Sequence, residues 1–293
     1  MMQRLIRGMR RALGLQHPGR NLKVWQDDVF ILSFPKSGNT WTRFLIANLV
    51  YPETPADFSN IDRLTPDPEA LSTREMARMP RPRIIKSHHY FDPRYKRVIY
   101  VVRDPRDVAL SQFHFYRKRR RIEDSYPLEK FVERFVAGET SSYGSWGENV
   151  ASWVATRENR PGFLLLRYED MLEDAARELK KVASFLEIPP DAERITNAVR
   201  RSAADEMRKL EKSQAHLWSL TKSMRQDVPF VRAAQAGGWR TGLPEGAVAQ
   251  MEAAWGQLMT HLGYELLFET KTITNTTNFD SGLRKTMLNG PSR

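Results

Sequence analysis

Residues 29–34 form an apolar run of strand type, and Pro35-Lys36-Ser37-Gly38-Asn39-Thr40 follows it directly. The period then changes, so that Trp41, Phe44, Leu45, Asn48 and Leu49 share one helical face. No other stretch constrains the chain as much. It demands a buried strand that feeds a helix through a glycine-containing loop. The free N–H groups and the dipole at such a helix start favour an anion. Lys36 adds a point charge there, and Ser37 and Thr40 add hydroxyl donors.

Three further apolar runs, 83–88, 97–103 and 162–167, read as buried strands. Helical patterns lie between and after them, at 128–136, 147–157, 174–186, 192–201 and 245–262. Asp104-Pro105-Arg106-Asp107 opens another helix, with proline near its first position and acids in its first turn. Continuous apolar strands between helices predict an α/β fold: a P-loop-like domain whose central, mainly parallel sheet carries helices on both faces. The segment 52–82 holds six prolines and reads as a long connection with one short helix at 68–79. Residues 229–242 show no strand pattern.

A chain of 293 residues can bury a full core. We expect one domain over 26–268, a basic amphipathic extension at 1–25 and a polar tail at 269–293. In the extension, Leu5, Ile6, Met9 and Leu13 share a face, with Arg4, Arg7, Arg10 and Arg11 around the other. Such a helix docks on the domain or lies on a membrane surface, and its lack of acids also suits a transit peptide. Arginines interrupt every apolar run, so no secretory leader is expected. No run is long enough to span a bilayer. Asn275-Thr-Thr is then a chance match to a glycosylation acceptor. With 0 cysteines, disulfides, thiolate metal sites and a cysteine nucleophile are excluded. The expectation is a cytoplasmic protein, with peripheral membrane contact through residues 1–20 as its variant. The net charge of +11 suits anionic partners of several kinds: nucleic acid, acidic lipid or a phosphorylated small molecule.

The loop is not that of a nucleoside triphosphatase, because its lysine precedes its glycine and no second glycine lies upstream. Nor does an acidic strand end offer a Mg²⁺ ligand, so a phosphate bound without metal is expected. The order Pro35-Lys36-Ser37-Gly38-Asn39-Thr40-Trp41 resembles the 5′-phosphosulfate loop of sulfotransferases that use 3′-phosphoadenosine-5′-phosphosulfate (PAPS). Asn39 stands where that family has threonine. The segment from Val101 through Arg103 to Ser111 resembles the family's 3′-phosphate motif, and Lys86-Ser87-His88 resembles its Lys-Thr-His segment. Tyr168-Glu169-Asp170 and the segment at Ser202 match in part, with Ala204 in place of a phenylalanine. Around Arg232 and Trp239 the match is also partial, since Ala233, Ala234 and Gly238 replace family residues. The family's dimer motif is absent, which leaves the oligomeric state open.

The resemblance implies a role for each of these residues. Lys36, Ser37, Gly38, Asn39 and Thr40 would hold the 5′-phosphate and sulfuryl group, and Trp41 and Tyr168 would flank the adenine. Arg103, Ser111 and Arg232 would take the 3′-phosphate, and Ser202 would contact the nucleotide. His88 would act as general base on an acceptor hydroxyl or amine, Lys36 would stabilise the bridging oxygen, and Lys86 would assist. Strand alternation puts His88 and His89 on opposite sides, so only one of them can face the site. The acceptor stays open among small alcohols, phenols, sugars and lipids, and no nucleic-acid partner is expected. Trp146, Trp153, Trp218 and Trp255 are expected in the core, and Tyr143 and Trp146 are also candidates for the acceptor wall. Arg117–Arg121 reads as a solvated helix end, or as a lure for an acidic acceptor or nucleic acid. The alternative reading is a basic protein that binds nucleic acid or a membrane surface on an inactive P-loop-like scaffold. A nucleotide kinase is disfavoured by the loop.

Overall fold

The computed structural model describes residues 16–268 except Pro190, Ser219, Arg232 and Ala233, together with Met9 and Leu13. Arg4, Arg7, Arg10 and Arg11 of the N-terminal extension, the polar tail and Arg232 therefore lie outside the described residues. Four parallel strands, β1 (Val29–Ser33), β2 (Ile84–Ser87), β3 (Arg97–Val102) and β4 (Phe163–Arg167), form one sheet in the order β2-β1-β3-β4. Ser33 at the end of β1 lies opposite Val101 of β3, and Leu32 opposite Ser87 of β2. The chain leaves β1 toward β2 and leaves β3 toward β4, so the order reverses at the β1/β3 boundary. That boundary, at the carboxyl edge, is where open parallel sheets offer a crevice.

Alternate side chains of each strand enter different cores, as the pleat requires. Phe30, Leu32, Val98, Tyr100 and Val102 pack under the helices Pro105–Lys118, Leu128–Val136, Trp146–Arg157 and Glu245–His261. Val29, Ile31, Ile99 and Val101 pack under Asn39–Val50, Tyr168–Glu173, Ala175–Phe185 and Ala192–Arg201. Helices on both faces match the expected layering. Trp146, Trp153 and Trp218 are buried, and Trp255 packs half-buried against the first core. Among the described residues, no helix is long and apolar enough to cross a membrane.

The structure adds helices that periodicity does not predict: Ile61–Leu64, Tyr168–Glu173, Ala204–Gln214 and Trp239–Gly242. The helix expected at 68–79 is confined to Thr73–Arg78, where Ser72 and Glu75 close a capping box. Polar residues with distant partners order the connection between β1 and β2. Buried Arg43 donates to the Thr65 hydroxyl at 3.0 Å, to the carbonyl oxygens of Thr65 and Ile61, and to Asp62 at 2.8 Å. Arg83 binds Asp28 through both carboxylate oxygens, at 2.9 and 2.6 Å, and also reaches the carbonyl oxygens of Met76 and Lys23. Both side chains of this pair are almost wholly buried. Removing one member strands the other charge in a low dielectric. Asp28→Ala is therefore expected to lower unfolding free energy by about 3–5 kcal/mol, read from urea unfolding at neutral pH.

Candidate functional site

At the carboxyl edge of the sheet opens a cavity of about 1360 Å³. The β1 loop forms its floor. Gly38, in the left-handed region at φ +97°, caps the helix Asn39–Val50 with no side-chain hydrogen bond at that end. The first-turn N–H groups thus have no capping side chain. Glycine is required at 38 for a second reason. A Cβ there would stand 2.5 Å from the Tyr168 ring. Lys36 is also left-handed, at φ 72°, and its ammonium lies 4.4 Å from the centre of the Phe115 ring and 4.5 Å from that of Phe230. The loop and the helix start supply Lys36, Gly38, Asn39, Thr40 and Trp41 to the cavity wall.

Ser37 does not line the cavity. Its hydroxyl is buried beneath the loop without a hydrogen-bond partner among the described residues. Asn39 turns its side chain back toward the strand, donating to the Ile31 carbonyl and the Ser33 hydroxyl at 3.3 Å each. It can therefore offer the cavity its backbone N–H but not that amide group. Trp41 donates its indole N–H to the Ser202 carbonyl oxygen at 3.0 Å and meets the Tyr168 ring edge-on at 5.7 Å. Ser202 is fully buried, accepts from Asn48 at 3.0 Å and stays off the cavity wall. Its contact with this region runs through Trp41.

From β3 comes Arg103. Its guanidinium donates to the carbonyl oxygens of Lys36 at 3.4 Å and Gln235 at 3.1 Å, and stacks 4.3 Å over Tyr168. Its Nε is buried with no partner among the described residues. Asp107 stands 3.8 Å away and accepts from the N–H groups of Gly237 and Trp239. Burial pushes its carboxyl above the ordinary range, opposed by Arg103. Ser111, on the same helix as Asp107, also reaches the cavity wall.

The third contribution comes from the end of β2. Lys86 and His88, two residues apart, both line the cavity, while His89 does not. Lys86 is held by Asp67 at 2.7 Å. The His88 Nδ1 lies 2.7 Å from the Ser33 carbonyl oxygen. A carbonyl only accepts, so Nδ1 carries the proton and Nε2 keeps its lone pair. Burial, then the Lys86 charge, push the His88 imidazole down to about 3 from its ordinary 6.5. Asn149 fixes the backbone here by donating to the His88 and Tyr143 carbonyl oxygens, and itself accepts from Tyr100.

Several wall residues had no signal in the sequence, because their partners are remote in the chain: Asp67, Glu69 and Arg43. Of the two acceptor-wall candidates, Tyr143 lines the cavity, with its ring against His88 and its hydroxyl donating to Glu69. Trp146 is buried and donates to the Arg103 carbonyl oxygen at 3.2 Å. The basic run at 117–121 is not simply a solvated helix end. Lys118 is buried, donating to the carbonyl oxygens of Arg225 and Val228, whereas Arg119 and Arg121 line the cavity. The backbone carbonyls that draw Lys118 inward leave no trace in side-chain pattern.

Comparison with known proteins bears on this edge. Residues 26–263 match the sulfotransferase domain family. Sulfotransferase 1A1 of Mus musculus is 31% identical over 262 residues, covering 82% of this chain and 87% of the relative. Sulfotransferase 1A1 of Bos taurus is 32% identical over 222 residues, covering 70% and 73%. The solved structure of mouse sulfotransferase SULT7A1 complexed with PAP superposes with a TM-score of 0.68 at 24% identity, over 85% of this chain and 89% of that one. That last likeness is one of fold. The family match spans the sheet and every strand end described above, and the chain belongs to the sulfotransferase family.

Proposed function

We propose that this enzyme transfers a sulfuryl group from PAPS to a hydroxyl or amine of a small acceptor, with His88 as general base. The observation that carries the reading is that Lys36 and His88 line the same cavity, with the lone pair of His88 Nε2 left available by the bond at Nδ1. The edge also fits a doubly anionic ligand. The helix start is uncapped, and the Nε of Arg103, a residue of the cavity wall, is a buried polar atom without a partner among the described residues. The solved mouse relative is a PAP complex.

In this reading Lys36, Gly38, Asn39 and Thr40 hold the 5′ end through backbone N–H groups and the lysine charge. Ser37 supports the loop from below. Arg103 and Ser111 hold the 3′-phosphate, with Arg232 expected beside them from sequence. Trp41 and Tyr168 flank the base, and Ser202 acts by anchoring Trp41. PAPS supplies the activated sulfuryl group. His88 takes the acceptor proton at Nε2 while its Nδ1–H stays on Ser33. Lys36 neutralises charge on the departing phosphate side. Lys86, held by Asp67, adds positive charge on the same wall.

Adenosine 3′,5′-bisphosphate is expected to raise the melting temperature. Absence of any shift would favour a surface-binding role instead. His88→Ala should lower kcat by about 10²–10⁴ and Lys36→Met by about 10²–10³. Wild-type rates in either folded variant would sink the assignment. A depressed imidazole stays unprotonated, and so competent as a base, well below its ordinary 6.5. The acid limb of kcat/KM should accordingly fall below that value; an acid limb at 6.5 or above removes His88 as the free-enzyme base.

A further inference from the structure

We propose that the acceptor carries an anionic group, a carboxylate or phosphate, and that Arg119 and Arg121 at the cavity mouth bind it. This rests on the sulfotransferase reading and adds the chemical class of its acceptor.

The charges on the cavity wall do not cancel. Each carboxylate there has an internal partner: Asp62 has Arg43 at 2.8 Å, Asp67 has Lys86 at 2.7 Å, Asp107 has Arg103 at 3.8 Å, and Glu139 has Arg134 at 3.4 Å. Glu69 accepts from the Tyr143 hydroxyl. Arg119 and Arg121 line the same wall, and among the described residues neither has a carboxylate within ion-pair distance. Lys222 joins them on that wall. A mouth lined with surplus cations attracts and retains anions.

Local backbone directs both arginines to this side. The helix Pro105–Lys118 ends in a turn in which Arg120 is left-handed, at φ 54°, and the Arg121 N–H donates to the Tyr116 carbonyl oxygen at 2.9 Å. Glycine is the usual residue at such a position, so an arginine there is strained. The turn sets the Arg121 guanidinium 5.5 Å from the Tyr116 ring centre and that of Arg119 5.6 Å from Phe115. Phe115 is the ring that also bears the Lys36 ammonium. Arg119 thus stands one aromatic ring from the residue at the sulfuryl position. Burial and the like charge of Arg121 both work against the Arg119 charge, and a bound anion relieves the second. Guanidinium forks match the planar geometry of carboxylate and phosphate.

The test compares two phenols that differ only in charge, 4-hydroxyphenylacetate and 4-hydroxyphenylacetamide, as acceptors with PAPS. The acid is expected to show a KM at least tenfold lower than the amide, with the gap narrowing as salt rises. In the Arg119→Gln/Arg121→Gln protein the ratio of the two KM values should approach one. The same ratio, read as Kd by calorimetry with adenosine 3′,5′-bisphosphate bound, makes the test independent of turnover. Equal affinities, undetectable binding of the acid, or an acid preference that survives in the double variant overturns the proposal. Binding to phosphatidylglycerol vesicles without binding of the soluble acid overturns it as well, since the charge would then serve a lipid surface. The melting shift with adenosine 3′,5′-bisphosphate separates the two readings. If it persists while acid and amide bind alike, only the acceptor inference fails; if it is absent, the nucleotide reading fails first.

Discussion

One guanidinium holds the carboxyl edge of the sheet together. Arg103 reaches back to the β1 loop through the Lys36 carbonyl, forward to the C-terminal segment through Gln235, and stacks on the ring that closes the floor. Its own carbonyl anchors Trp146. Its nearest carboxylate, Asp107, is 3.8 Å away and already accepts from two backbone N–H groups. The cation is therefore well placed but incompletely neutralised, which is costly in a partly buried site without a further anion.

The two cores contribute differently. On the side of β4 facing Trp153, stacked rings dominate: Phe30 on Tyr95, and Trp153 among Tyr95, Tyr100 and Phe163. Polar tips project from this core toward the edge. The Tyr100 hydroxyl fixes Asn149, which in turn fixes the backbone of His88 and Tyr143. Trp153 does the same for the His89 carbonyl. The opposite core is mostly aliphatic and carries the uncapped start of the helix Asn39–Val50. The backbone at His88 thus depends on the aromatic side, and the loop and helix start at 35–41 on the aliphatic side.

Strands and the strand–loop–helix turn at 29–41 were legible because their signals are local. A run of β-type residues, a loop lysine and a glycine, and a strand-end arginine each occupy a few consecutive positions. The same holds for Lys86 and His88, whose spacing alone puts them on one side of a strand. Ala204–Gln214 was not legible, because only Met207 of that helix is buried and no apolar stripe marks it. Ile61–Leu64 owes its order to Arg43, and Trp239–Gly242 sits on Asp107; in both the determinant is far away in sequence. Lys118 misleads for a related reason, since the carbonyl oxygens of Arg225 and Val228 and the carboxylate of Glu211, all about a hundred residues away, receive it.

The close approach of Gly38 and Tyr168 links two positions that are 130 residues apart. The ring occupies the space where any larger residue at 38 would put its first carbon. The loop backbone and the aromatic floor are thus one object with a single thickness. Among descendants of this chain, a side chain can arise at 38 only where the ring at 168 has already shrunk or swung away. The two sites should drift together or not at all, and a change at either resets the depth of the pocket for every ligand above it.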